Sequence, residues 1–459
     1  MAEQWLQNYA QELDAGIALA NEHKWLEAIK KYNAAIAISP ILSPAFVNRG
    51  VAKMNLRQHA SALEDLNQAI LLQPTLAMAY NNRGVVHRSL GQGGLAAQDY
   101  LKAIELSGDE AIDAHANLAT YYFECKQFEL ADSYYRKAIE LAPDYALTHW
   151  NYGMSLLLQG DYSRGWREYH WRWQVPSYRA AQTRIDAPLW LGLESLVNKT
   201  ILLLCEQGFG DMIQFCRYAP LVAARGGRVV LEVQAGLVEL CKSLAGVDDV
   251  CAKGDTRLQS LGIDFYCPMM SLPLAFGTTL ETIPAPKQYL FSNTEKIQHW
   301  QRRLGARIKP RVGVVWSSDP GLAVGNSKTI ALQTFAQLLS DQFEFVSLQK
   351  NLWYEEQVEL SKWGICHFGE ALVDFSDTAA LCECLDMVVS VDTSVAHLAG
   401  ALGKPVCILL HAHADWRWQL AARQSVWYPS AKLYRMQDGA DWTGLLAMVR
   451  EDLMASLAS

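Results

Sequence analysis

The stretch at residues 48–74, NRGVAKMNLRQHASALEDLNQAILLQP, contains the pattern that decides the fold of the first part of the chain. Its small third residue recurs at intervals of 34, 34, 35 and 34 residues, at Gly16, Gly50, Gly84, Ala119 and Gly153. A polar column two residues earlier consists of Asp14, Asn48, Asn82, Asn117 and Asn151. A second small column twelve residues later consists of Ala28, Ala62, Ala96, Ala131 and Gly165. Helix-breaking residues stand at Pro40, Pro74, Gly108 and Pro143. The pattern predicts stacked helix pairs that pack closely at the small residues.

This period of 34, with small residues at the close-packing positions of two helices, resembles the tetratricopeptide repeat over about residues 8–177. The resemblance implies an α-solenoid of about five repeats in residues 1–177. Because one helix pair cannot bury its apolar face alone, neighbouring pairs are expected to stack into a superhelix with a long concave groove. Such grooves bind peptides.

The composition of the 459 residues fits a large folded protein. Hydrophobic residues make up 51% and charged residues 19%, which predicts buried cores in two or three domains. A net charge of −8 argues against a nucleic-acid partner. Ten scattered cysteines without a Cys-x-x-Cys pair, and no secretory start, indicate reduced thiols and a cytoplasmic location. No apolar run reaches the roughly 18 residues of a membrane span, so none is expected.

After residue 177 the period ends and short apolar runs alternate with helical stretches, which is typical of an α/β fold. After a connector at 178–198, a first Rossmann-like domain is predicted at 199–293, with a linker at 294–309 and a second domain at 310–459. The predicted strands are 199–206, 228–233 and 264–267 in the first domain, and 311–316, 343–348 and 387–391 in the second. Two such domains are expected to face each other across a cleft.

The strongest chemical signal is Asp392-Thr393-Ser394-Val395-Ala396-His397, directly after the strand at 387–391. Ligands of parallel sheets lie beyond the carboxyl ends of the strands, where helix N-termini offer N–H groups to anions. A diphosphate is therefore expected near Thr393 and Ser394. The segment resembles the donor loop Asp-Thr-Gly-x-x-His of glycosyltransferase family nine, the heptosyltransferase-like GT-B enzymes. Ser394 stands where that family has glycine.

Two other segments extend the resemblance. Phe209-Gly210-Asp211 matches the family's Leu-Gly-Asp, which implies that Asp211 is the general base and that Gly208 and Gly210 belong to the donor-binding loop. Lys328 matches a lysine that contacts donor phosphate, and Asp392 and His397 are the remaining donor-site candidates. The run at 207–217 and the segment 415–418 (DWRW) look more like bacterial tetratricopeptide-linked glycosyltransferases, a resemblance that covers the full chain.

Sugar transfer from a nucleotide-diphosphate donor leaves negative charge on the diphosphate, which fixed dipoles or cations must stabilise. The helix start near Thr393 and the ammonium group of Lys328 suit that task. The chain has no Asp-x-Asp pair, so no metal and no other cofactor is expected. With Asp211 as the base that accepts its proton, the acceptor hydroxyl would attack from the face opposite the donor phosphate, and the anomeric centre would be inverted as the diphosphate leaves.

Each assignment has a structural alternative. Asp211 in the first turn of a helix would have its pKa lowered by the helix dipole, which works against a base role. His397 could be a hydrogen-bonded core histidine, Asp392 a helix cap, and Lys328 a solvated loop residue. Trp416 and Trp418 are expected to serve packing, with stacking on a nucleotide base as the alternative.

The asparagine column could hold a polypeptide, since one amide can satisfy both the C=O and the N–H of a peptide unit. The four candidates are Asn48, Asn82, Asn117 and Asn151. A similar layout, a superhelix leading into a GT-B domain, belongs to the eukaryotic protein O-GlcNAc transferase. The alternative is that this asparagine is common in the repeat whatever the repeat binds. For the whole protein, the main hypothesis is an inverting, metal-independent glycosyltransferase with a protein acceptor. A non-catalytic scaffold, or a transferase for a glycan or lipid acceptor, remains open.

Overall fold

The computed structural model describes residues 2–183, 185–318 and 328–457. The chain divides into two compact units, Met1–Tyr152 and Gly153–Ser459. Among the described residues, no helix is both long enough and apolar enough to cross a lipid bilayer.

The first unit is helical, and its helices pack in successive pairs. The helices are α1 (Ala2–Asn21), α2 (Trp25–Ile38), α3 (Ser43–Asn55), α4 (His59–Leu72), α5 (Ala77–Ser89), α6 (Gly93–Ser107), α7 (Ile112–Glu124) and α8 (Phe128–Leu141). The next helix along the chain is α9 (Ala146–Leu158). The second, fourth and eighth helices end within two residues of Pro40, Pro74 and Pro143, and α6 ends immediately before Gly108.

The small-residue columns are explained by close packing within each pair. A Cβ added at Gly84 would lie 2.5 Å from Cε1 of Tyr100, and one at Gly16 would lie 2.4 Å from Cε1 of Tyr32. Each tyrosine stands 16 residues after its glycine and is buried. The later column is also fully buried at Ala28, Ala62, Ala96 and Ala131. The predicted helical repeat fold is confirmed.

A pair of buried ion pairs repeats with the same 34-residue spacing. Arg49 donates to Asp65 from Nε (2.9 Å) and Nη2 (2.6 Å). Arg83 donates to Asp99 in the same bidentate way, at 2.8 and 2.7 Å. Both aspartates are buried, so each needs such a partner. The two ion pairs therefore stabilise the same helix contact in successive repeats.

The second unit contains two parallel sheets, as predicted. The strands are β1 (Thr200–Leu204), β2 (Arg228–Val233), β3 (Asp249–Ala252), β4 (Phe265–Pro268), β5 (Arg311–Val315), β6 (Glu344–Ser347), β7 (Ile365–His367), β8 (Met387–Val391), β9 (Val406–Leu410) and β10 (Ala431–Arg435). The first sheet has the order β3-β2-β1-β4 and the second β10-β9-β8-β5-β6-β7. All ladders are parallel.

Helices connect and cover these strands. They are α10 (Tyr162–His170), α11 (Pro176–Ala180), α12 (Phe209–Phe215), α13 (Ala219–Ala223), α14 (Val238–Cys241), α15 (Leu272–Ala275), α16 (Thr294–Leu304), α17 (Leu332–Phe335), α18 (Tyr354–Lys362), α19 (Phe375–Glu383), α20 (Ser394–Ala401) and α21 (Trp442–Leu457). The predicted linker at 294–309 thus contains a helix, α16.

Residues 153–177, which carry the last copy of the sequence repeat, lie in the second unit. Helix α10 packs there through Trp166, whose ring makes edge contacts with Phe215 and Trp416 at centroid distances of 6.2 and 5.3 Å. Its indole N–H donates to the carbonyl of Thr278 at 3.1 Å. The last repeat helix is therefore part of the core that supports both sheets.

A buried ion pair joins the residues after α10 to the first sheet. Arg172 donates to Glu206 Oε1 from Nε (2.9 Å) and Nη2 (2.6 Å), and both side chains are fully buried. The same carboxylate accepts from Trp173, Tyr178 and the backbone N–H of Met270. A fully satisfied network of this kind fixes the chain just after β1, where the candidate site begins.

Candidate functional site

The two predicted site segments lie at the carboxyl ends of β1 and β8 and meet there. Four residues separate the end of β1 from the start of α12, and two separate the end of β8 from the start of α20. A Cβ added at Gly210 would lie 2.8 Å from Cδ2 of His397 and 3.6 Å from Cα of Ser394. The structure therefore brings the Phe209-Gly210-Asp211 segment of the first sheet against the Asp392–His397 segment of the second.

Asp211 lies in the first turn of α12 with 18% of its side chain exposed. Its Oδ2 accepts from the N–H of Gly208 at 2.9 Å, and its Oδ1 accepts from Arg417 Nη2 at 2.5 Å. Burial raises the pKa of this carboxyl above its ordinary value, against the opposing charge of Arg417. The lowering expected from the helix dipole is therefore outweighed by desolvation.

Arg417 is the partner that sequence reasoning missed. Besides Asp211, it donates from Nη1 to Asp415 at 2.7 Å and from Nε to Gln214 Oε1 at 2.8 Å. Its guanidinium lies 4.3 Å from the ring centroid of Trp416. The only signal in the sequence is its place within the DWRW segment at 415–418, which carried a resemblance without a role.

His397 is a buried residue of α20. Its Nδ1 lies 2.8 Å from the hydroxyl of Tyr428, and its ring stacks on Trp418 at a centroid distance of 5.1 Å. Desolvation lowers the pKa of this imidazole well below its usual 6.5, and the nearby cations Arg417 and Lys328 lower it further. The ring is therefore neutral at neutral pH, and it is hydrogen-bonded as the structural alternative expected.

Asp392 forms an ion pair with Lys328, with 2.7 Å between Oδ2 and Nζ. Its Oδ1 lies 4.0 Å from Nε2 of His397. Thr393 occupies the N-cap position of α20, so Asp392 is not the capping residue. The residues directly before Lys328, 325–327, lie outside the described residues.

The other candidates occupy the same region. Ser394 is the first residue of α20, whose opening turn has N–H groups that lack partners within the helix. The N–H of Gly208 is engaged by Asp211. Trp416 and Trp418 are 5% and 0% exposed and pack against aromatic rings, so the expectation that they serve packing is confirmed.

Metal ligands are not grouped in the described part of the chain. Within residues 2–183, 185–318 and 328–457, no three His, Cys, Asp or Glu side chains lie close enough together to hold a metal ion.

The asparagine column lies at equivalent positions of successive repeats and is half-buried at all four positions. The residues are Asn48 in α3, Asn82 in α5, Asn117 in α7 and Asn151 in α9. One amide already has a protein partner, because Asn117 Nδ2 donates to Asn81 Oδ1 at 3.0 Å. The column is thus regular, with one internal contact between neighbouring repeats.

Comparison with known families divides the chain in the same way. Tetratricopeptide-repeat families match residues 47–111 and 112–145. Glycosyltransferase family 9 (heptosyltransferase) matches residues 371–438, which include Asp392, His397 and Arg417. A curated relative, protein FlbA of Caulobacter vibrioides, is 24% identical over 349 residues. That alignment covers 68% of this chain and 56% of FlbA, so the chain spans about half the length of this relative.

Several solved structures are also similar to part of the chain. Pseudomonas aeruginosa PilF is 17% identical, with 37% of this chain and 76% of PilF covered and a TM-score of 0.34. MamA is 19% identical, with 36% and 96% covered and a TM-score of 0.30. The second repeat domain of human RPAP3, solved with an HSP70 peptide, is 27% identical, with 26% and 97% covered and a TM-score of 0.24. The chain thus combines tetratricopeptide repeats with a glycosyltransferase family 9 domain.

Proposed function

We propose that this protein transfers a sugar from a nucleotide-diphosphate donor to a hydroxyl group, and that the acceptor is a polypeptide recruited by the repeats. The observation that carries the proposal is the close approach of the Asp211 loop to the start of α20. The first turn of α12, which carries the Asp211 carboxylate, and the N-terminus of α20 then lie next to each other. Acceptor activation and donor binding need this combination.

On the donor side, we place the diphosphate at the first turn of α20, beside Thr393 and Ser394. Negative charge that grows on the leaving group would be stabilised there by the helix dipole and by the N–H groups. The ammonium group of Lys328 lies at the same end, paired with Asp392 and 42% exposed. It supplies a cation without a metal, so the proposed reaction is metal-independent.

His397 contributes no charge to this site, because its imidazole is neutral at neutral pH. Its Nδ1 is occupied by Tyr428, which leaves Nε2, on the side of Asp392, as the atom available to a donor. We therefore assign His397 a hydrogen-bonding role towards the donor and no part in proton transfer.

On the acceptor side, we assign Asp211 as the general base, and attack opposite the leaving group inverts the anomeric centre. A positioned base typically contributes about 10²- to 10⁴-fold to the rate. Burial raises the pKa of Asp211, which strengthens the carboxylate as a base. The ion pair with Arg417 acts against that burial and favours the charged form of the carboxyl.

The repeats are proposed to hold an extended polypeptide along Asn48, Asn82, Asn117 and Asn151. Each amide offers one acceptor and two donors, and the contact with Asn81 uses one donor of Asn117. The remaining groups suffice for one C=O and one N–H per repeat. Such hydrogen bonds go to backbone groups of the peptide, so they do not depend on its sequence.

A thermal-unfolding screen with nucleoside diphosphates in the presence of EDTA tests the donor site. One nucleotide at a hundredfold excess over its Kd should stabilise the protein by about 2.7 kcal/mol. Lys328→Ala should weaken this effect, whereas the exposed Lys362→Ala on α18 should not. If no nucleotide stabilises the protein, the transferase proposal fails and the scaffold hypothesis gains. Stabilisation only when EDTA is omitted would overturn metal independence.

The acceptor class is tested by supplying the full-length protein with its donor and either polypeptides or free sugars and lipids. Mass spectrometry of the products should show a sugar added to polypeptide. Transfer confined to a glycan or lipid would replace the protein acceptor while retaining the enzyme.

A further inference from the structure

We propose that Arg417 is a positioning residue for Asp211, and that Asp415 tunes this effect from the other side of the guanidinium. The inference rests on the proposed role of Asp211 as the base. It adds a fixed pair of charges, from the turn after β9, that acts on the carboxylate of Asp211 after β1.

The partners come from different parts of the second unit. Asp211 belongs to α12, which follows β1 of the first sheet. Arg417 belongs to a 3₁₀ turn, Trp416–Trp418, which follows β9 of the second sheet. The two residues are 206 positions apart in the sequence, so only the assembled second unit creates this ion pair.

The guanidinium group of Arg417 is held in place by its contacts. Each of its three nitrogens donates to a different side chain, namely Asp211, Asp415 and the Gln214 amide. Its central carbon also lies 4.3 Å from the ring centroid of Trp416, and the Arg417 side chain is only 7% exposed. The fixed guanidinium therefore holds Oδ1 of Asp211, while the N–H of Gly208 holds Oδ2, and together they set the orientation of the carboxylate.

The turn that carries Arg417 is itself held in place. The side chain of Asp415 accepts from the N–H of Arg417 at 3.0 Å and so caps the turn. Gln419, directly after it, has a φ of 53°, a left-handed conformation that is costly for a residue with a side chain. Arg435 donates to the carbonyls of both Trp418 and Gln419, which secures that conformation.

Negative charges outnumber positive ones around Asp211, so the charged form of its carboxyl depends on Arg417. Asp415 and Glu206 are the anions near this carboxylate, and Glu206 is already paired with Arg172. Arg417 is the cation in contact with it, while the neighbouring His397 is neutral and the phenol of Tyr169 keeps its proton. Without Arg417, a buried Asp211 would face a second carboxylate, and its protonated form would be favoured.

The two neighbours therefore act in opposite directions on one group. Removal of the cation in Arg417→Gln should raise the pKa of Asp211, since the attraction that favours its charged form is lost. Removal of the anion in Asp415→Asn should lower it, since the repulsion is lost. Arg417→Lys keeps the positive charge but not the three donor nitrogens. It should therefore leave the pKa of Asp211 closer to its wild-type value than the rate of sugar transfer.

The test is a ¹³C-NMR titration of the full-length protein labelled at aspartate carboxyl carbons, with the Asp211 signal assigned by its loss in Asp211→Asn. The matched control is Arg423→Gln, at an exposed arginine six residues further along. The same variants are then followed by pH profiles of sugar transfer. The acid limb should move up in Arg417→Gln and down in Asp415→Asn, and turnover of Arg417→Gln at neutral pH should fall by about 10²-fold or more.

An Asp211 titration that stays in place in both variants, or that moves in the same direction in both, overturns the inference. If Arg417→Gln fails to fold, Asp415→Asn still decides, because unfolding cannot lower the pKa selectively at one carboxyl. The NMR titration needs no turnover. If the protein transfers no sugar but the pKa of Asp211 shifts in opposite directions in the two variants, the proposed transferase is refuted. The effect of Arg417 and Asp415 on Asp211 then still holds.

Discussion

The most specific structural prediction concerns Gly210, where the two site segments touch. In Gly210→Ala, the added Cβ would lie 2.8 Å from Cδ2 of His397, which is closer by about 0.7–1.2 Å than carbon atoms pack at optimal separation. The histidine ring cannot easily yield, because Tyr428 holds its Nδ1 and Trp418 stacks on its face. The contact between Gly210 and His397 therefore leaves no space for even one methyl group.

The magnitude follows from two opposing effects. Overpacking of a well-packed core typically costs about 1–3 kcal/mol. Replacement of glycine by alanine inside a helix gains about 0.5–1 kcal/mol when the site is open. We therefore expect Gly210→Ala to lose about 1–2 kcal/mol of unfolding free energy, and to weaken nucleotide binding because the start of α20 is displaced.

Urea unfolding of the wild type, Gly210→Ala and a control variant measures this loss of unfolding free energy. The control is Gly444→Ala in α21, since a Cβ there would meet no heavy atom within 4 Å in the described part of the protein. That variant should be more stable than the wild type. If Gly210→Ala is also neutral or stabilising, the two segments do not touch as described, and the geometric basis of the site is refuted.

Two further predictions concern the supports of the site. Glu206→Gln leaves Arg172 buried beside a neutral amide, so it should cost about 3–5 kcal/mol in urea unfolding, whereas the exposed Glu355→Gln should change little; a loss of less than 1 kcal/mol would contradict the role of this pair. Alanine at the whole asparagine column should spare hydrolysis of the donor and impair only transfer to polypeptide. The four positions are Asn48, Asn82, Asn117 and Asn151. Alanine at the exposed helix positions Asn8 and Asn55 is the control, and equal effects from both sets would remove the peptide-binding role.

Much of the fold was predictable because its causes are local. The small residue at Gly84 recurs in each repeat because the second helix of the pair, which carries Tyr100, leaves no space there for a side chain. The apolar runs at 200–204 and 387–391 form central strands of parallel sheets, which must be apolar on both faces. The two site segments could be located because each directly follows such a strand.

The contacts across the site were not predictable, because no local pattern encodes them. Arg417 and Asp211 are 206 residues apart, and neither segment indicates which cation meets which carboxylate. The same reason explains why the helix-dipole argument, the structural alternative for Asp211, expects a pKa shift opposite in direction to the one that burial produces. A helix N-terminus is visible in sequence, whereas desolvation by residues from another sheet becomes visible only in the assembled unit.

The measurement that tests the central claim most directly compares nucleotide binding with sugar transfer in Asp211→Ala, with the exposed Asp341→Ala as control. Binding is followed by thermal unfolding with the stabilising nucleotide, and transfer by mass spectrometry of the acceptor. Our account predicts that Asp211→Ala binds the nucleotide about as well as the wild type and transfers no sugar, while the control does both. Transfer that persists in Asp211→Ala, or loss of binding together with transfer, would contradict the assignment of Asp211 as the base.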